Sequence, residues 1–420
     1  MSGAAGDARQ HVPEPVEQSA SGFMPGVEIL RGVAASAVVV EHTWALTTMS
    51  RFWGYHLVEG LGEWGVALFF LISGYILSDY FWRPRQQRSV LTFWTRRLFR
   101  IAPAYYVNVG LLFLFFASYN LVESAYGLRQ VLASATFTDW MFPNYASSLN
   151  VNGALWTLTI EMTLYLVLPL MAPPMRQHKW LTFAVIFGTG MLFRAYVTWH
   201  GSALVHLYFG YGKVDLANAH LYLSRQFPGA LPLFALGMIT RRLQFGRRVG
   251  RSFRFSLPVL VALLLPSILL LEWVEQGSNY RQGALFFIYE PLLVALMIPA
   301  LVYASRGAAS KSSVVQDSAL WLGERSYSLY LWHFPIILAI FGRGPESQPA
   351  HMSYVAIRVL AVAVLSLVAA AASYSAIEKP ARLYGRRVAD RWKRRGDRLA
   401  ASSAQSGLFL LRRSAFGIRL

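Results

Sequence analysis

The chain has 420 residues, of which 55% are hydrophobic and 14% charged, with a formal net charge of +18 and no cysteine. Apolar content on that scale, gathered into long runs, excludes an ordinary soluble domain and reads as a polytopic membrane protein. The missing cysteines exclude a thiol nucleophile, thiolate metal sites and disulfide staples. The excess positive charge flanks the apolar runs, where a surface facing anionic lipid accounts for it, so nucleic acid is not expected as a partner.

Residues 1–22 are polar and rich in Gly, Ala and Pro, without the short apolar core of a cleavable signal peptide, and are expected to form a disordered cytoplasmic tail. Apolar runs then follow at Val27 to Met49, Leu61 to Phe81, Ile101 to Tyr119, Leu155 to Met171 and Trp180 to Thr198. Further runs lie at Pro228 to Thr240, Phe255 to Trp273, Ala284 to Ala304, Leu320 to Phe341 and Tyr354 to Ile377. The expected fold is all-α, a polytopic transmembrane bundle of about ten spans filling residues 23–382. Residues 383–420, with Arg386, Arg387, Arg391, Lys393, Arg394 and Arg395, read as a basic tail on the inner leaflet.

Alternate connections carry the basic residues. Arg83, Arg85 and Arg88 stand before the third run with Arg96, Arg97 and Arg100, then Arg176 and Lys179, then Arg241, Arg242, Arg247 and Arg248. Positive residues mark the cytoplasmic side, which puts both termini in the cytoplasm.

The first run, from Ile29 to His42, carries two functional groups within apolar sequence, Arg31 and His42. Eleven residues are about three helical turns, so the two share a face about 16 Å apart along the axis. Ionisable side chains inside a bilayer normally face a bundle interior or a wet cavity. The plainer alternative is a snorkelling Arg31 and a hydrogen-bonded core His42.

Several clusters join this pair. They are Gly65-Val66-Ala67-Leu68-Phe69-Phe70-Leu71-Ile72-Ser73-Gly74-Tyr75, then Arg96-Arg97-Leu98-Phe99-Arg100-Ile101-Ala102-Pro103, and Leu155-Trp156-Thr157-Leu158-Thr159-Ile160-Glu161. Leu322-Gly323-Glu324-Arg325-Ser326-Tyr327-Ser328-Leu329-Tyr330-Leu331-Trp332-His333-Phe334-Pro335 and Tyr374-Ser375-Ala376-Ile377-Glu378-Lys379-Pro380 follow in order. With Arg31 and His42 at their ten-residue interval, the chain resembles the acyltransferase-3 family of integral membrane O-acyltransferases over roughly Val27 to Arg382. Many members of that family have an acidic residue where this chain has Ala67, so no carboxylate role is assigned there. Some members append an extracytoplasmic esterase-like domain, for which this chain has no room after its last span; it is expected to complete its reaction alone or with a separate partner.

The resemblance implies transfer of an acyl group, commonly acetyl from acyl-CoA, to a hydroxyl of an envelope carbohydrate or glycoconjugate, in the inner membrane of a bacterium. Acyl-CoA is thus expected as donor substrate and not as a permanently bound cofactor. A hydroxyl is a poor nucleophile at neutral pH, and His42 is the candidate general base. Glu161 and Glu378 are candidates for the carboxylate that orients it, with Arg31 as the fourth catalytic candidate. Arg96, Arg97 and Arg100, expected at the amino end of the third helix, are candidates for the CoA phosphates, and with Arg31 would dock the donor from the cytoplasm. Lipid phosphate is the alternative partner for those arginines.

His333 is a candidate for substrate contact, but reads first as packing at a Trp-His-Phe-Pro corner where Pro335 breaks the helical ladder. Tyr105, Tyr106, Tyr327 and Tyr330 read as interfacial anchors, and Glu378 before Lys379 and Pro380 as a possible helix end. The long connection from Trp199 to Phe227, with His200, His206 and His220, is a candidate acceptor site; its histidines lack the compact spacing of a metal site, and no metal is expected. Acylation of a lipid-linked sugar or a glycosylated small molecule, a transporter or flippase, and a non-catalytic scaffold are the competing functions.

Overall fold

The computed structural model describes residues 24–46, 55–82, 89–116, 125–141, 152–209, 223, 226–245, 255–277, 286–307, 313–341 and 352–395. Among these residues every regular element is helical, as uniformly apolar runs in a bilayer require, because helices satisfy their own backbone polar groups. The helices are α1 (Pro25–Leu46), α2 (Tyr55–Ser78), α3 (Val90–Phe116), α4 (Ala125–Ala135), α5 (Trp156–Gln177) and α6 (Lys179–Phe209). They continue as α7 (Phe227–Gln244), α8 (Leu257–Gly277), α9 (Phe286–Arg306), α10 (Val314–Glu324), α11 (Ser326–Phe341) and α12 (Met352–Ser373). Each of the ten apolar runs contains a helix, and five stretches among the described residues are long and apolar enough to cross a membrane: 60–82, 156–177, 179–201, 257–274 and 356–395.

The core is built around α1, α2 and α7. Gly74 of α2 and Gly237 of α7 lie where those two backbones touch, and a Cβ on either would run into the main chain of the other helix. Small residues at crossings are what allow membrane helices to approach this closely. Gly32 of α1 lies in the same way against the backbone of Gly323 in α10. A buried ion pair ties the next layer together: Arg194 of α6 meets Glu290 of α9 at 2.6 Å and donates from Nε to the Gly229 carbonyl of α7 at 2.7 Å.

Prolines inside helices leave a carbonyl without its donor four residues on. In α11, Pro335 cannot donate to the Leu331 carbonyl; the buried Asn108 and Asn152 amides both donate to it instead, each at 3.1 Å. In α5, Pro169 leaves the Tyr165 carbonyl, which the Trp94 indole serves at 3.0 Å. The helix therefore passes Pro335 without ending, and His333 keeps regular helical geometry.

Three expectations are corrected. The run from Leu320 to Phe341 is two helices, broken at Arg325, whose backbone N–H caps α10. Glu378 does not end the last helix: a π-turn over Tyr374–Glu378, closed by the Lys379 N–H donating to the Tyr374 carbonyl, precedes Pro380, and the chain stays helical over residues 379–395. The third helix starts at Val90, so Arg96, Arg97 and Arg100 lie in its second and third turns, beyond the reach of the amino-terminal dipole. The amino-terminal tail, residues 396–420 and residues 210–222 of the long connection, His220 included, lie outside the described residues.

Candidate functional site

Helix α1 presents Arg31 and His42 to the bundle, and α2, α3, α5 and α11 close around them. A cavity that opens to solvent, with about 650 Å³ of empty space counting its mouth, is lined by Arg31 of α1, Arg97 and Arg100 of α3, and Glu161 and Tyr165 of α5. Its remaining wall is apolar, chiefly Phe69, Phe70, Ile72 and Ile76 of α2, and Tyr327 and Tyr330 of α11 complete it. An apolar wall set with a few charged groups is the chemistry of small-molecule sites. Three guanidinium groups face one lining carboxylate, so the cavity favours an anion.

Arg31 donates to Glu28 on its own helix at 3.1 Å. Arg97 lies over the rings of Phe93 and Tyr165, at 5.7 and 5.8 Å. Glu161 accepts from Ser73 Oγ at 3.2 Å and from the Tyr165 hydroxyl. Arg96 points away from the cavity, to Asp390 on the helix of residues 379–395, at 2.8 Å on the surface. Of the three arginines proposed for phosphate, two reach the cavity and the third pairs elsewhere.

His42 lies near the carboxyl end of α1, a quarter exposed. Its Nδ1 is 2.8 Å from Nε2 of His333, which is wholly buried. His333 Nδ1 donates to the Tyr330 carbonyl at 2.7 Å. Tyr330 links this pair to the cavity: its ring lines the cavity, its hydroxyl donates to the Ala154 carbonyl at 2.9 Å, and Thr157 Oγ donates to that hydroxyl at 2.8 Å. His42 Nε2 lies 3.4 Å from the Glu41 carboxylate, which fills the space a side chain at Gly62 would take.

The two carboxylates named from sequence take other partners. Glu161 belongs to the cavity, while the buried Glu378 accepts from Ser328 Oγ at 3.0 Å and from Arg382 at 3.4 Å. Glu41 goes unnamed in the sequence reading, where His333 reads as packing at a helix bend and not as a partner of His42. Glu41 had a signal in its position next to His42; His333 had one only in being a second histidine inside an apolar helix. The tyrosines expected as interfacial anchors are mostly interior: Tyr105 is buried and donates to the Ser134 carbonyl at 2.9 Å, and Tyr327 donates to the Ile101 carbonyl at 2.7 Å. Of the histidines in the long connection, His200 packs against Tyr196 on α6, with ring centres 4.9 Å apart.

An acyltransferase-domain family model, that of acyltransferase-3, matches residues 24–374. The chain is 26% identical over 336 residues to the peptidoglycan O-acetyltransferase OatA of Listeria monocytogenes, covering 75% of this chain and 49% of that protein. It is 24% identical over 351 residues to nodulation protein 10 of Rhizobium leguminosarum bv. viciae, covering 79% of this chain and 87% of that protein. The chain thus spans about half the length of the Listeria relative. No solved structure matches it.

Proposed function

The chain belongs to the acyltransferase-3 family, and from that membership we propose that it is a membrane O-acyltransferase that moves an acetyl group from acetyl-CoA to a hydroxyl of an envelope or exported carbohydrate. The observation that carries this reading is the cavity in which Arg31, Arg97 and Arg100 converge, one turn of α11 from the His42–His333 pair. Guanidinium groups bind phosphate through charge-assisted, often bidentate hydrogen bonds. The apolar wall of Phe69, Phe70 and Ile72 suits a pantetheine arm. The alternation of basic connections supports about ten spans of an inner membrane with both termini in the cytoplasm, which puts the arginines on the donor's side.

In the reaction, His42 takes the proton of the acceptor hydroxyl as its oxygen attacks the thioester carbonyl. Collapse of the tetrahedral adduct breaks the C–S bond, and the departing thiolate recovers the proton from the imidazolium. A positioned base of this kind contributes about 10²–10⁴-fold to rate. The name of the Listeria relative, a peptidoglycan O-acetyltransferase, supports a glycan as acceptor.

The test uses inverted membrane vesicles from the source organism, deleted for the gene and complemented with it, given acetyl-CoA labelled in the acetyl group. Release of free CoA with alkali-labile label in a carbohydrate fraction is the expected result. Label in lipid-linked sugars or soluble glycosides moves the acceptor to those classes, and no CoA release overturns acyl transfer.

A further inference from the structure

His42 and His333 stand side by side in one plane. Their ring planes differ by 11° and their centres are 5.1 Å apart, which is the 2.8 Å nitrogen contact extended by one ring radius at each end. A proton between Nδ1 of His42 and Nε2 of His333 therefore lies on the line joining the rings, the geometry of a strong hydrogen bond.

The direction of that bond is fixed from outside the pair. The Tyr330 carbonyl, 2.7 Å from His333 Nδ1, can only accept, so Nδ1 of His333 carries a proton. A neutral imidazole has one N–H, which leaves Nε2 of His333 an acceptor, and His42 must donate to it from Nδ1. The basic lone pair of neutral His42 is then on Nε2, the nitrogen 3.4 Å from the Glu41 carboxylate. The opposite tautomer of His42 would set two lone pairs against each other at 2.8 Å.

We infer that His333 is a positioning residue for acyl transfer: through its hydrogen bond it holds His42 in the tautomer that presents Nε2 to the acceptor hydroxyl. The inference rests on the acyltransferase reading and adds to it the nitrogen that takes the proton. When Nε2 is protonated, the positive charge is shared along a chain from the Glu41 carboxylate through both rings to the Tyr330 carbonyl. His333 thus fills the place held by a buried aspartate in a serine-hydrolase triad, with a neutral ring in a site where a second charge would be costly to bury. The turn that supplies its carbonyl partner is the turn of Tyr330, whose ring lines the donor cavity, and its register is held where Asn108 and Asn152 replace the bond lost to Pro335.

The test compares His333→Phe, which keeps a planar ring but offers no acceptor, with His333→Gln, whose side-chain oxygen can reach the position of Nε2. Both are expressed in the gene-deleted source strain, brought to equal membrane amounts, and assayed in inverted vesicles over a range of acetyl-CoA. The expected result is a fall in kcat of about 10²–10³-fold for His333→Phe, with KM for acetyl-CoA within about threefold, and recovery of at least about tenfold by His333→Gln. A ring needed only for packing predicts the reverse order, Phe tolerated better than Gln, and that order overturns the inference. Should the Phe protein not reach the membrane, His333→Asn replaces it, since its short amide reaches toward Tyr330 but not His42; wild-type kcat in that variant overturns the inference. In either case wild-type turnover leaves acyl transfer itself standing. Absence of acetyl transfer by the wild type is a different failure, which removes the parent reading and the inference together.

Discussion

Nδ1 of His42 and Nε2 of His333 are 2.8 Å apart although 291 residues separate them in the chain. The contact joins the end of α1 to the middle of α11, and one turn of α11 back toward its amino end Tyr330 lines the arginine-rich cavity. Candidate base and candidate donor pocket are therefore parts of one packed unit, and substitutions in each have separable consequences.

The arginines should divide by where they point. Arg97→Ala and Arg100→Ala each remove a guanidinium from the cavity wall and are expected to raise KM for acetyl-CoA about 10- to 100-fold, the worth of a charge-assisted hydrogen bond. Arg96→Ala breaks an exposed pair with Asp390 and should leave KM within about twofold. Initial rates against acetyl-CoA in inverted vesicles check this, and equal effects of all three would refute the assignment of the cavity to the donor.

The Leu331 carbonyl offers a test of what keeps His333 in register. Replacing Asn108 and Asn152 together by Ala leaves a buried carbonyl unserved and should cost about 1–3 kcal/mol of stability. The same double replacement in a Pro335→Ala background should cost distinctly less, because residue 335 then supplies the missing N–H. Thermal unfolding in a fixed detergent reads both, and equal costs in the two backgrounds would show that the amides do not substitute for the helical bond.

Asp139 gives a prediction in pH. It sits in the short turn Asp139–Met141 between α4 and α5, buried, with Ser134 Oγ donating to it at 3.2 Å, and burial pushes its carboxyl up to about 7. A raised value means that the folded state holds the proton more tightly. The resulting stabilisation is complete below the unfolded value near 4 and is lost as pH rises through about 7. Asp139→Asn, which cannot ionise, should flatten the change in unfolding temperature between pH 5 and pH 8 and raise that temperature at the alkaline end. A variant whose profile parallels the wild type would place the pH dependence elsewhere.

Much of this architecture was legible in the chain because the bilayer imposes its terms locally. A helix stands in each of the ten apolar runs, and Arg31 and His42 were visible as ionisable groups in apolar surroundings. The break at Arg325 was hidden because Leu320 to Phe341 is apolar throughout, and hydropathy does not register where an axis turns. The helix past Pro380 was hidden for the opposite reason: a proline signals a stop in sequence, and the π-turn that precedes it has no sequence mark. Among the arginines, helical spacing places Arg100 between Arg96 and Arg97 on one arc, so periodicity could not show that Arg96 turns to Asp390. The partner of His42 was beyond reach of any local pattern, being set by the packing of two helices from opposite ends of the chain.

His42 is the proposed base of the acyl transfer. The measurement that tests that role most directly is ester-linked acetyl on purified surface glycans from the gene-deleted source strain complemented with wild type or with His42→Ala, at equal membrane levels. Acetyl is expected to be restored by the wild type and to stay at background with His42→Ala. Restoration by both proteins would contradict that role.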